Sequence, residues 1–430
     1  MLKRKNYWLL FALLLLSLTS LSPSLDLSTG NGTSSQSNPE DPMLPPLSGD
    51  KGERGVLRVA VSLNNLEFKE LKEISSQYSL FNGITVDLVN MSSDDAKNNL
   101  TRDLTIGDSP DIIMTDGRDV LGLAQQGYLL PVDVYQSEPG STPLTGLISQ
   151  LQWNGYDWGV PLDVDPYVFV YSPQKLTELG FSKLPRTVTE WSLLLQHIRE
   201  TKGISLLAMD TREPYGYSAV LESMGSSLSA SDMSPLQWTE IARSYFFLTS
   251  RYNRELWDML QDGTLAVAVL PFSEWQAHGN STLTAEAPIL TNNGKVLEAI
   301  SSRCFALSSQ SLMPEEAVDW LSFVTSSTSQ LSWLESTGRL PALDEVYRSG
   351  FTNRIQLPFD PDILLTDDTI QNSGAEMNWS KVSEAVASFL TGGLDAAGYT
   401  KALQNGVDTG SESGAQKEPD PGPASESDSQ

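Results

Sequence analysis

The stretch Tyr156-Asp-Trp-Gly-Val-Pro-Leu-Asp-Val-Asp-Pro-Tyr-Val-Phe-Val-Tyr171 decides the fold, because it passes from polar and aromatic residues into a β-prone run. The run from Val168 onward suits a buried strand, whereas the two prolines before it cannot donate to a central ladder. Strand side chains alternate, so Asp163 and Asp165 are expected on one side. The stretch is interpreted either as a crossing point lined with binding groups or as a loop with solvated acids.

Length and charge restrict the class of protein. A chain of 430 residues exceeds the usual size of one domain, so a two-lobed or two-domain protein is expected. Lys and Arg number 28 against 54 Asp and Glu, which gives a net charge of −26. This balance argues against a nucleic-acid partner, because such binding requires basic surface.

The N-terminal residues predict export. A positive segment, Met1–Asn6, precedes the apolar run Tyr7–Leu21, and together they predict a signal peptide over residues 1–24. An uncleaved N-terminal anchor is the alternative, and both place the protein outside the cell or in the cell envelope. The single Cys304 excludes an intrachain disulfide and a lipobox anchor after the apolar run, and is expected to be a buried small hydrophobic residue.

The order of elements predicts an α/β fold. Residues 25–55 are interpreted as a flexible linker, and the first predicted strand, Val56–Val61, is followed by a predicted helix and a second strand, Ile84–Val89. Strand, helix and strand at this spacing predict a parallel βαβ unit. Further along, residues 240–260 are interpreted as helical, and residues 407–430 as a disordered acidic tail.

Polar residues follow the strand that ends in Asp116. Ligands of open α/β sheets bind beyond the carboxyl ends of strands, at helix N-termini, and Asp116, Arg118 and Asp119 occupy that place. Ordinary N-capping by Asp116 or Asp119 is the alternative interpretation, and both roles can hold at once.

Four segments, in this order, resemble a known family. They are Ser109-Pro-Asp-Ile-Ile-Met-Thr-Asp116 running to Leu123–Pro131, Asn154–Tyr171, Gly263-Thr-Leu-Ala-Val-Ala-Val269, and Glu315–Ser326 with Thr337-Gly-Arg-Leu-Pro-Ala342. The chain resembles the extracellular solute-binding proteins of ABC importers, in family 1, the sugar-binding branch that is similar to maltodextrin-binding proteins. The four segments span most of residues 56–406.

The resemblance implies a type II, two-lobed periplasmic-binding-protein-like fold, with hinge strands and a ligand cleft between the lobes. The first lobe would comprise residues 56–162 plus 290–327, and the second 163–289 plus 328–406. The ligand-binding residues it implies or leaves open are Asp116, Arg118, Asp119, Asp165, Glu213, Tyr215, Trp379 and, with Phe272 as the alternative, Trp275.

The function that follows is capture of a sugar or oligosaccharide by hinge closure and delivery to the membrane permease of an ABC importer. A monomer without cofactor or metal is expected. Carboxylates accept pairs of hydroxyls, and aromatic rings cover the apolar faces of a sugar. The alternatives are a lobe pair that serves a membrane sensor, a polyamine-binding protein and a glycoside hydrolase with two acids. Against an enzyme, the only histidines are His197 and His278, and no Ser-His-Asp pattern is present.

Overall fold

The computed structural model describes residues 55–91, 102–106, 109–135, 142–249, 252–288, 298–350, 355, 357–359, 365 and 378–407. The predicted signal peptide, the predicted linker up to residue 54 and the predicted tail from residue 408 lie outside these residues. Within the described ranges, no helix combines the length and the hydrophobicity needed to cross a membrane.

The strands of the described part are β1 (Val56–Val61), β2 (Thr85–Asn90), β3 (Ile112–Asp116), β4 (Leu129–Leu130), β5 (Gln152–Trp153), β6 (Tyr156–Asp157), β7 (Val160–Tyr171), β8 (Ser205–Asp210), β9 (Phe246–Thr249), β10 (Leu265–Pro271), β11 (Thr284–Glu286), β12 (Ile300–Ser308) and β13 (Leu340–Pro341).

Its α-helices with complete bounds are α1 (Asn65–Asn82), α2 (Gly117–Gln125), α3 (Thr145–Leu151), α4 (Pro173–Glu178), α5 (Val188–Glu200), α6 (Tyr215–Ser223), α7 (Met233–Ala242), α8 (Arg254–Asp262), α9 (Phe272–His278), α10 (Pro314–Val324), α11 (Ser327–Thr337), α12 (Asp344–Arg348), α13 (Trp379–Thr391) and α14 (Ala396–Val407).

The first three strands form the predicted parallel arrangement. β1 pairs in parallel with both β2 and β3, and α1 provides the connection from β1 to β2. Asn64 caps α1 and forms a capping box with Glu67, while Gly83 ends the helix with a φ of 67°. The βαβ prediction is therefore confirmed.

The long strand β7 joins two halves of the sheet. Its first half pairs antiparallel with β12, which leads to β3, β1 and β2; its second half pairs antiparallel with β10, which leads to β8 and β9. All twelve of its residues are buried. A single strand therefore carries the chain from one half of the sheet to the other.

The predicted start of this strand at Val168 was wrong, since β7 begins at Val160 and includes both prolines. The two prolines fit in the ladder between β7 and β12 because each lies at an irregularity or an end of that ladder. The register against β12 shifts beside Pro161, and Pro166 faces Ile300, the first residue of β12.

Buried aromatic residues fill the core on both sides of this strand. Trp191 on α5 and Trp320 on α10 have no exposed surface, and neither has Cys304, so their predicted core positions are confirmed. The helical interpretation of residues 240–260 was wrong in part. Strand β9 lies within that range and pairs in parallel with β8, a partner nearly 40 residues away that local sequence periodicity does not reveal.

Candidate ligand-binding cleft

Asp163 and Asp165 lie on the same face of β7, as their spacing predicts. One guanidinium contacts both: Nε of Arg339 is 3.0 Å from Oδ2 of Asp163, and Nη1 of Arg339 is 2.9 Å from Oδ2 of Asp165. Both carboxylates are fully buried. The alternative interpretation, a loop with solvated acids, was therefore wrong.

Asp116 joins the two halves of the sheet through its side chain. It caps α2, because Oδ1 accepts a hydrogen bond from the backbone N–H of Arg118 at 2.9 Å. Its Oδ2 accepts the hydroxyl of Tyr215, the first residue of α6, at 2.6 Å. Burial raises the pKa of the Asp116 carboxyl, and the nearby charge of Asp119 raises it further. Capping and a contact across the molecule are thus combined in one residue.

Arg118, Tyr215 and Trp379 form a stack at the same place. The guanidinium carbon of Arg118 lies 4.2 Å from the ring centroid of Trp379 and 5.5 Å from that of Tyr215. The two rings are 5.3 Å apart, and Tyr215 also stacks on Tyr167 of β7 at 5.7 Å. Cation–π attraction and ring stacking therefore hold together groups from α2, α6, α13 and β7.

Two buried donors in this stack have no hydrogen-bond acceptor within the described residues: Nε of Arg118 and Nε1 of Trp379. An unpaired buried donor costs about 1–3 kcal/mol relative to a paired one. The same stack therefore has the capacity to donate two hydrogen bonds to an oxygen of a bound molecule.

Tyr167 is not among the predicted ligand-binding residues, yet it lies in this stack. The signal that could have found it is the alternation along β7, which places residues 163, 165 and 167 on one face.

Asp165 is held on both of its oxygens. Oδ1 accepts the backbone N–H of Ser273 at 3.0 Å, and Oδ2 accepts the Ser273 hydroxyl at 2.6 Å and the Arg339 guanidinium. Burial raises the pKa of Asp165, and these partners act against that rise. A ligand hydroxyl would have to displace one of them, so the ligand-binding role of Asp165 stays a prediction.

The remaining predicted residues differ in exposure. Glu213 is exposed in the turn between β8 and α6, and Asp119 is half-buried in the first turn of α2. Of the two aromatic alternatives at the start of α9, Phe272 is fully buried with its ring centroid 6.3 Å from that of Phe359, whereas Trp275 is half-buried. No cluster of three or more His, Cys, Asp or Glu side chains suited to a metal ion occurs in the described ranges.

Comparison with solved structures places this geometry in a known fold. The chain is similar to the GacH receptor of Streptomyces glaucescens, solved unliganded and with acarbose and an acarbose homolog (16% identity, 81% of this chain and 96% of that chain, TM-score 0.62). A solute-binding protein of an ABC transporter from Thermotoga lettingae, bound to α-D-tagatose, is also similar (17% identity, 82% and 98%, TM-score 0.60). So is UgpB from Mycobacterium tuberculosis in complex with glycerophosphocholine (16%, 82% and 96%, TM-score 0.62).

These similarities confirm the two-lobed, periplasmic-binding-protein-like fold. No curated protein matches the sequence significantly. A family model does: residues 73–358, more than half of the chain, match the model described as bacterial extracellular solute-binding protein. The protein belongs to this family of bacterial extracellular solute-binding proteins.

Proposed function

We propose that this protein captures a sugar or oligosaccharide between its lobes by hinge closure and delivers it to the permease of an ABC importer. One observation carries the proposal: Tyr215 donates to Asp116 at 2.6 Å while Arg118 lies over Trp379, so acids and aromatic rings from both halves of the sheet meet. The acarbose-bound and tagatose-bound structural relatives support it.

Each predicted residue has a distinct role in this proposal. Asp116, with Asp119 beside it, exchanges its bond from Tyr215 for ligand hydroxyls, and the Trp379 ring covers an apolar sugar face. Nε of Arg118 and Nε1 of Trp379 are the donors for ligand oxygens. The predicted residues Asp165, Glu213 and Trp275 contribute at the margins of the same cleft.

The lobe limits that we propose are those of the resemblance: residues 56–162 plus 290–327, and 163–289 plus 328–406. Contacts from both lobes favour the closed state, because a ligand shifts a conformational equilibrium only through a difference in affinity between its states. Members of the family are binding proteins, and we propose binding without turnover.

A cationic ligand is a second candidate, and the position of Arg118 favours it. The guanidinium over Trp379 and Tyr215 shows that these rings accommodate a cation. A polyamine that displaced Arg118 would meet the same rings and the carboxylate of Asp116.

A thermal-shift screen followed by calorimetry tests the proposal. The panel comprises maltose, maltotriose, tagatose, spermidine and glycerophosphocholine. We expect one of the sugars to raise the melting temperature, and Asp116→Asn and Trp379→Phe to weaken its binding by about tenfold each. Trp191→Phe is the matched control, since Trp191 is a fully buried tryptophan whose ring packs on Phe169 and Trp238.

If spermidine alone stabilises the protein, the proposed ligand is a cation and not a carbohydrate. If sugar affinity is unchanged in all four variants, namely Asp116→Asn, Trp379→Phe, Asp165→Ala and Trp379→Ala, the site assignment is wrong. Product formation from a bound oligosaccharide would refute binding without turnover. Co-purification of the protein with its membrane partner separates import from sensing, because the identity of the partner shows whether it is a permease or a sensor.

A further inference from the structure

Five charged side chains meet beside the first half of β7, outside the aromatic stack. They come from four stretches of chain: Glu67 from α1, Asp163 and Asp165 from β7, Arg303 from β12, and Arg339 from the turn between α11 and β13. Nη1 of Arg303 is 3.0 Å from Oε1 of Glu67, and its Nε donates to both oxygens of Asp163 at 3.2 and 3.1 Å. Charges so well removed from water persist only where they compensate one another.

Arg339 contacts all three acids of this network. Its Nε lies 3.0 Å from Asp163 and 3.9 Å from Glu67, and its Nη1 donates to Asp165 at 2.9 Å. Three carboxylates face two guanidiniums here, so the loss of Arg339 would leave three negative charges against one positive charge. Removing Arg339 should therefore destabilise the network more than breaking any one of its ion pairs would.

Asp165 connects Arg339 to α9 through hydrogen bonds. The carboxylate that Arg339 holds also accepts the backbone N–H and the hydroxyl of Ser273, in the first turn of α9. Arg339 and the Ser273 hydroxyl thus donate to the same oxygen, Oδ2 of Asp165, and Trp275 follows Ser273 by two residues.

The chain before Arg339 packs against the same turn. Gly338 has a φ of 74°, and a Cβ there would lie 3.1 Å from Cβ of Gln276 and 3.5 Å from Cα of Ser273. Only glycine combines this left-handed backbone with so close an approach to α9. The close approach is independent of the ion pairs and brings the same two segments together.

We propose that Arg339 is a positioning residue of the cleft, which holds Asp165 against Ser273 and thereby sets the place of the first turn of α9. The consequence for ligand affinity rests on the proposed function, since it acts through Trp275. The contacts themselves are tested in the protein without added ligand.

Hydrogen exchange of the Ser273 amide in the ligand-free protein is the primary test. We expect exchange about tenfold faster in Arg339→Met and partly restored in Arg339→Lys, which keeps the charge but not the two separate donors of the guanidinium. Arg186→Met is the matched control, because Arg186 forms an ion pair of 2.8 Å with Glu286 outside the network. It should leave exchange at Ser273 unchanged.

Ser273→Ala provides a second variant if Arg339→Met does not fold. It removes the hydroxyl bond to Asp165 and should accelerate exchange in the first turn of α9, whereas Ser301→Ala, whose hydroxyl donates to the backbone oxygen of Asp165, should not. Unchanged exchange in Ser273→Ala and, where it folds, in Arg339→Met overturns the proposal.

Calorimetry with maltotriose, provided that the unmodified protein binds it, separates this proposal from the proposed function. Weaker binding in Arg339→Met, partial recovery in Arg339→Lys and no change in Arg186→Met support positioning. If the unmodified protein binds no sugar, the proposed function fails, while the exchange experiment alone decides the role of Arg339.

Discussion

Asp163 and Asp165 stand two residues apart on one strand, and both are fully buried. Burial raises the pKa of both carboxyls, but the guanidiniums of Arg303 and Arg339 outweigh it at Asp163 and leave its pKa below the ordinary value. At Asp165 the partners do not outweigh burial, and the pKa is raised. The acidity of each carboxyl follows from its partners, which the spacing of the two residues does not reveal.

Glu222 is a buried carboxyl whose titration should be visible in the stability of the protein. Burial, with the nearby charge of Glu298, raises the pKa of Glu222 to about 8 from an ordinary value of 4.5. Between these values the folded state keeps a proton that the unfolded state has lost, so the free energy of unfolding falls as pH rises. Glu222→Gln should flatten this dependence and add about 1–3 kcal/mol at pH 8.

Urea denaturation at three pH values between about 5 and 8 measures this effect. The glutamine keeps an oxygen that accepts the backbone N–H of Ala299, as Oε1 of Glu222 does at 3.0 Å. Glu178→Gln is the control, because the side chain of Glu178 is 54% exposed on α4. The same pH dependence in Glu222→Gln and the unmodified protein would contradict the assignment.

The hydroxyl of Tyr215 should contribute to stability through Asp116. A hydrogen bond to a carboxylate contributes about 1.5–3 kcal/mol, so Tyr215→Phe should lower the free energy of unfolding by that amount. A double-mutant cycle with Asp116→Asn should show coupling between the two side chains.

Tyr217→Phe provides the comparison for this cycle. Its hydroxyl is also buried on α6, but it bonds the neutral hydroxyl of Thr239 at 3.1 Å. Tyr217→Phe should therefore be additive with Asp116→Asn. Additive energies for Tyr215→Phe and Asp116→Asn would show that the bond across the two halves is absent in solution.

At the level of elements, helix ends follow local sequence and strand partners do not. Asn64, Asp116 and Thr187 each cap a helix through a side chain that accepts a backbone N–H. β9 and the first half of β7 escaped prediction because their partners lie far along the chain. Hydrogen bonds within a helix are local, whereas a ladder requires a second strand.

The turn that ends α11 should tolerate no side chain. Gly338→Ala combines a φ of 74° with a Cβ only 3.1 Å from Gln276, so we expect a loss of about 2–3 kcal/mol in thermal or urea unfolding. Gly203→Ala is the matched control, because Gly203 has a φ of 85° with nothing within 4 Å. It should lose only about 1 kcal/mol. Equal losses would show that the approach to α9 is not close.

At the scale of the whole molecule, the net charge of −26 should make stability depend on salt. Like charges repel one another more strongly in the compact state, and salt screens exposed charges beyond about 10 Å at 0.1 M. We expect the melting temperature to rise by a few degrees between about 20 and 500 mM NaCl. Potassium chloride is the control for a specific effect of sodium, and a melting temperature that falls with salt would contradict self-repulsion.

The sequence by itself determined the α/β class, the first βαβ unit, the buried positions of Trp191 and Trp320, and the common face of Asp163 and Asp165. These features depend on hydrophobic periodicity, on capping residues and on the alternation of a strand, all of which act over a few residues. The motifs that resemble the solute-binding family also lie in short segments, which is why the family was recognisable.

Only the tertiary structure decided which groups meet. Asp165 finds Arg339 across 174 positions of sequence, and Asp116 finds Tyr215 across 99. The stretch that opens at Tyr156 became one strand through both halves of the sheet only because β12 and β10 pair with successive parts of it. Side chains from distant segments become neighbours only when these strands pair and the chain crosses between the lobes, and no local pattern specifies that arrangement.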